Sequence, residues 1–169
     1  MSLLAFVVAA IILAITPGPG IAYVVARTVA GGRSEGLASC LGTGVGGMLH
    51  VLAAALGLSL IVAQSALAFN VVKYVGAAYL IYLGVRLLLR KDAALTMDAG
   101  EQVKSQGARR AFFEGIFVEA LNVKTALFFL AFLPQFVAPG EPLAPQLVLL
   151  GTICVVLNTL VDVVAVFAA

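Results

Sequence analysis

Apolar runs long enough to cross a bilayer, with little chain between them, leave this sequence few ways to fold. A crossing needs about 20 predominantly apolar residues, and windows of that width fall at about 3–26, 37–63, 71–89, 112–133 and 146–168. Hydrocarbon offers no water to bond a bare amide or carbonyl, so such segments satisfy their backbone internally, as helices. The expected fold is an all-α, polytopic membrane helical bundle with five transmembrane helices, a single domain over 1–169. Composition agrees: 63% of the 169 residues are hydrophobic and 11% charged, with a mean hydropathy of +1.14. A soluble domain of this length needs far more charged surface. The net charge of +2 argues against nucleic acid; the lipid bilayer is the expected surrounding. Cys40 and Cys154 fall inside apolar segments and read as small buried hydrophobes, not a disulfide framework.

Basic residues orient the chain. The connection RTVAGGRSEG carries Arg27 and Arg33, and the one from Arg86 to Glu114 carries Arg86, Arg90, Lys91, Lys104, Arg109 and Arg110. Of the other two connections, one has Lys73 and the other no basic residue. Basic flanks mark the cytoplasmic side, so the amino terminus is expected outside and the stretches near 27–36 and 86–114 inside. The polar run DAALTMDAGEQVKSQGA reads as a flexible cytoplasmic loop, about 90–111. A cleaved signal peptide fits the start poorly, because MSLLAF lacks a positive amino-terminal region.

Polar chemistry inside these runs is sparse. In the first, Thr16, Pro17, Gly18, Pro19 and Gly20 interrupt an otherwise apolar helix. Each proline removes a backbone donor and frees a carbonyl, which survives at membrane depth only beside protein or water. One proline could be a packing kink; PGPG favours a discontinuous helix whose ends face a small polar ligand. The fourth run holds Glu119, Asn122 and Lys124, and the fifth Asn158 and Asp162, four apart and so on one face. An ionisable side chain at that depth costs at least about 2.5 kcal/mol, so it faces protein, water or another charge. Lys124 is expected within reach of Glu119 or Asp162, although Glu119 could instead sit near enough to the interface to snorkel. His50 points into a helix interface, as an interior hydrogen-bonder or a proton carrier. Gly42 and Gly46, with Gly44 and Gly47, make a smooth face for close helix packing. With one histidine, no HExxH and no recognisable catalytic set, no metal, cofactor or enzymatic activity is expected, and no filter-like repeat suggests a channel.

TPGP in the first helix, a Gly-rich second helix ending in AALGL, GAAYLIYLGVRLL in the third and LNVKTALFFLAFLPQFV in the fourth resemble, in order, the LysE/RhtB family of bacterial amino-acid exporters. The resemblance implies a multi-pass protein of the bacterial inner (plasma) membrane that exports amino acids or related metabolites by exchange with protons. It also implies six helices in two inverted three-helix repeats, the first at about 1–90 and an incomplete second at about 112–169, whose last helix is expected to be missing here. Val123 stands where the family has proline, leaving the second polar site either a pair of side chains on a continuous helix or a local break at Asn122. In the exporter reading, the backbone of Thr16–Gly20 and the side chains of Asn122 and Lys124 line the path. Lys124 attracts a carboxylate, while Glu119 or Asp162 attracts an amino group or carries a proton. The alternative is a non-transporting membrane module that assembles with a partner, or with copies of itself, through its glycine faces.

Overall fold

The computed structural model describes residues 3–65, positions 67, 68, 70, 71, 74, 75, 77, 78, 81, 82 and 85, and residues 104–169. The expected third span, with Lys73, Arg86, Arg90, Lys91 and the loop as far as residue 103, therefore lies outside the described residues apart from those isolated positions. Helices α1 (Leu3–Ile15), α2 (Pro19–Gln64), α3 (Ala108–Ala120), α4 (Val123–Leu127) and α5 (Leu143–Ala168) follow in order, with a π-helical turn (Phe128–Phe132) and a 3-10 turn (Leu133–Phe136) after α4. Among the described residues there is no strand.

Backbone chemistry sets the first boundary. Pro17 has no amide for the Leu13 carbonyl and Pro19 none for that of Ile15, so α1 stops at Ile15. The helix restarts with Pro19 as its first residue, where a missing amide is not needed. Together α1 and the start of α2 make the expected first span: α1 alone is 13 residues, about 20 Å, short of the roughly 30 Å hydrocarbon core.

A straight α2 would be far longer than a bilayer is thick. Gly32, at φ 73 and ψ −174, breaks it. Gly20 and Gly46 would stand about 39 Å apart on an unbroken helix. Yet a methyl group on either would touch the same side chain, 2.7 Å from Glu119 Oε2 for Gly20 and 2.9 Å from Glu119 Cβ for Gly46. The arms of α2, 19–31 and 33–64, therefore lie side by side as a hairpin. The expected connection 27–36 contracts to one non-helical residue. That backbone region is essentially restricted to glycine, and any other residue there costs about 1–3 kcal/mol. Since nothing lies within 4 Å of a methyl group added at Gly32, strain alone sets the loss. Thermal unfolding in detergent should show Gly32→Ala destabilised by that amount and Gly57→Ala, also in open space, not destabilised.

Polarity runs inward. Leu4 is 73% exposed, Val29 73% and Leu121 78%, while Glu119 is 1% and Asp162 2% exposed. Apolar side chains facing out and carboxylates facing in suit lipid as the solvent. By length and composition α5 can cross a membrane, Pro19–Gly57 is apolar enough to do so although Gly32 folds it into two arms, and α3 with Val123–Phe136 passes as one further span bent by 44°. The apolar core joins Phe6 and Ala10 of α1, Val51 of α2, Phe129 and Leu133 after the bend, and Leu147 and Leu150 of α5.

At one end of the bundle the expected flexible loop is tied down where it is described. Glu35 Oε1 accepts hydrogen bonds from Ser105 Oγ at 2.5 Å, Gln106 N at 2.9 Å and Gly107 N at 2.6 Å. Arg27 Nη1 donates to the Lys104 carbonyl at 3.3 Å and lies 3.8 Å from Glu35 Oε2. A buried carboxylate at the hinge needs donors, and the incoming strand of chain supplies them. The basic stretches around 27–33 and 104–110 thus share one end.

Candidate site at the crossing of two interrupted helices

The second interruption is real, which settles the alternative left open by Val123. Helix α3 ends at Ala120; Asn122 is extended (φ −73, ψ 101), and its side-chain oxygen accepts from Lys124 N at 3.1 Å, capping α4. Asparagine is among the strongest residues at that position, so no proline is required.

The break aims Lys124 at the first one. Its Nζ donates to the carbonyls of Leu13 at 3.2 Å and Thr16 at 2.9 Å. The Leu13 carbonyl is the group that Pro17 leaves without an amide, so the lysine answers the vacancy that the proline creates. Glu119 and Asp162 both lie within electrostatic reach of Lys124, as expected, but among the described residues neither forms a direct ion pair with it. The carboxyl end of a helix carries about half a negative charge, which serves in place of a carboxylate.

Glu119 occupies the other side of the crossing and does not snorkel to an interface. Its Oε2 accepts from Asn122 Nδ2 at 2.9 Å and its Oε1 from Thr125 Oγ1 at 2.6 Å. Its carbonyl lies 2.7 Å from His50 Nε2. A carbonyl only accepts, so Nε2 carries the hydrogen and His50 serves as an interior donor. The carboxylate rests on Gly20, at the positive amino end of α2. Cation to carbonyl end, carboxylate to amide end: the two interrupted helices are electrostatically complementary.

Asp162, on α5, sits with Oδ2 3.0 Å from Thr43 Oγ1. Asn158 and Thr159 of the same helix join Glu119, Thr43 and Thr125 around a cavity of about 10 Å³, the space of roughly one water. Gly42 and Gly46 lie where α2 crosses α3: a methyl at Gly42 would be 2.1 Å from the Phe112 carbonyl oxygen, and one at Gly46 2.6 Å from that of Ile116. This close approach brings His50 to Glu119. Thr43 and Thr125 escaped sequence reasoning. Hydroxyls in an apolar run are the only signal, and six residues of continuous helix would turn Thr125 about 600° from Glu119, onto another face. Among the described residues no group of three or more His, Cys, Asp or Glu could hold a metal ion.

Comparison with known proteins gives a consistent picture. The sequence model of one family, described as LysE type translocator, matches residues 11–169. An uncharacterized membrane protein, YrhP, of Bacillus subtilis is 33% identical over 165 residues, covering 94% of this chain and 79% of that protein. A homoserine/homoserine lactone efflux protein of Salmonella typhimurium is 32% identical over 157 residues, 93% of this chain and 75% of that protein. A leucine efflux protein of Salmonella choleraesuis is 29% identical over 137 residues, 81% and 64% of the two chains. No solved structure matches.

Proposed function

The chain belongs to the LysE type translocator family, and from that premise we propose that it is a secondary exporter of an amino acid or a closely related metabolite, acting at the crossing of its two interrupted helices. One observation carries the reading: a lysine ammonium and a buried carboxylate meet the ends of a broken helix in one polar layer, enclosed by apolar chain. A zwitterion needs one partner of each sign. Lys124 takes the solute carboxylate, and the relatives named for homoserine and leucine efflux point to solutes of that class. The cavity of about 10 Å³ is far below the several hundred that small-molecule sites enclose, so in this reading the helices around it part to load a solute. Interrupted helices in two related halves are the usual setting for such rocking.

Proton exchange is assigned to Asp162. The Thr43 hydroxyl stands 3.0 Å from both the Cys40 carbonyl and Asp162 Oδ2, with one hydrogen to give. A protonated Asp162 completes the chain by donating to Thr43, which then donates to Cys40. Glu119 already has a donor on each carboxylate oxygen, Asn122 Nδ2 and Thr125 Oγ1. The clustering of Arg27, Lys104 and Arg110 toward one end supports an inner-membrane protein with that end in the cytoplasm and the amino terminus outside. The partner-binding alternative loses support because the glycine faces are used within the chain, Gly42 against Phe112 and Gly47 against Val155.

Everted membrane vesicles test the proposal. Homoserine or leucine should accumulate above vesicles lacking the protein, and more so with an acid interior. Asp162→Asn should lose the response to the gradient. Overproducing cells should also enrich the solute in their medium; no enrichment of any amino-acid-like metabolite, with no vesicle accumulation, would overturn the reading.

A further inference from the structure

We infer that the Leu13 and Thr16 carbonyls at the end of α1 form a binding subsite for a primary ammonium group, held here by Lys124 and taken by the solute's amino group during transport. The subsite is built by the sequence around it. Pro17 has no hydrogen for the Leu13 carbonyl, and the restart at Pro19 leaves that of Thr16 outside both helices. Two unshared oxygens at the negative end of a helix converge on one nitrogen, at 3.2 and 2.9 Å. Gly18 leaves room for it: a methyl there would lie 3.0 Å from Nζ and 3.1 Å from Cε.

An ammonium has three donors, and the carbonyls use two. Lys124 can thus meet a carboxylate with the third before it leaves the carbonyls. As it follows the carboxylate away, the solute's own ammonium replaces it, and Leu13 and Thr16 are never left without a donor inside the membrane. Lys124 is thereby an internal stand-in for the substrate amine, and the amino group takes its hydrogen-bond acceptors from backbone, with Glu119 as the counter-charge in the same polar layer. The identity of the incoming amine rests on the exporter reading; the existence of the subsite does not.

The test is a binding measurement that does not require transport. Lys124→Ala, purified in detergent, should melt below the wild type, and ethylammonium chloride at about ten times its Kd should raise its melting temperature by about 3 °C or more. Tetramethylammonium chloride at equal ionic strength should do nothing, having no hydrogen-bond donor. The wild type, its subsite filled, should not respond to ethylammonium. No rise in Lys124→Ala, an equal rise in the wild type, or an equal rise with tetramethylammonium overturns the inference. A second variant covers failure to fold. Pro17→Ala returns an amide to the Leu13 carbonyl, so Pro17→Ala/Lys124→Ala should be recovered in higher yield, and melt higher, than Lys124→Ala. A double variant no better than the single, or neither recoverable, overturns the inference. Absence of vesicle transport by the wild type, with ethylammonium rescue of Lys124→Ala intact, would reject the exporter reading alone.

Discussion

Lys124→Ala is expected to bring solute export down by about 10- to 150-fold, the range set by losing a charged hydrogen bond of about 1.5–3 kcal/mol. The side chain stands at the carboxyl end of α1, where it is the cation of the polar crossing. Without it a solute carboxylate has no counter-charge there, and the Leu13 carbonyl loses its donor. Export in loaded vesicles, set against the amount of protein inserted, reads the effect. Full export by an inserted variant would remove Lys124 from the path. Lys124→Arg should fall between the two, because a planar fork on a longer arm keeps the charge but not the tetrahedral reach of an ammonium.

The largest structural loss is expected at Gly42. A methyl there would lie 2.1 Å from the Phe112 carbonyl oxygen, 3.0 Å from its carbon and 3.2 Å from Gly115 Cα, all backbone. No rotamer change relieves such a clash; α3 itself must move. Gly42→Ala should therefore cost about 3 kcal/mol, the upper end for overpacking, and Gly42→Val more. At Gly44 the nearest atom is Thr159 Oγ1 at 3.1 Å, a side chain that can turn. Gly44→Ala should cost less than about 1 kcal/mol. Chemical unfolding of the three variants in detergent gives the comparison, and equal losses at Gly42 and Gly44 would contradict the close crossing. Moving α3 also carries the Glu119 carbonyl from His50, now 2.7 Å away, so loss of export should accompany the loss of stability.

Much of the site was legible because its causes are local. Pro17 and Pro19 break a helix wherever they occur in one, and Glu119, Asn122 and Asp162 in apolar runs had to be buried in protein. Other parts stayed open or incomplete for physical reasons. The break at Asn122 was one of two readings because capping is a matter of backbone angle, and the missing proline removed the usual sign. The direct partners of Lys124 were missed because charges can be counted from sequence, whereas a pair of unbonded carbonyls cannot. The stretch at 27–36 looked like a connecting loop from its two arginines and three glycines; one of those glycines, Gly32, makes the whole turn.

The sequence by itself determined the solvent, the helices and the first interruption. Lipid forbids unpaired backbone, and a proline lacks its amide in any context. Tertiary structure decided who answers for the missing bond. Lys124 is 111 residues from Leu13 along the chain, and only the Gly32 hairpin, the glycine crossing and the cap at Asn122 bring it there. Partnership across such a distance depends on packing, which no local pattern encodes.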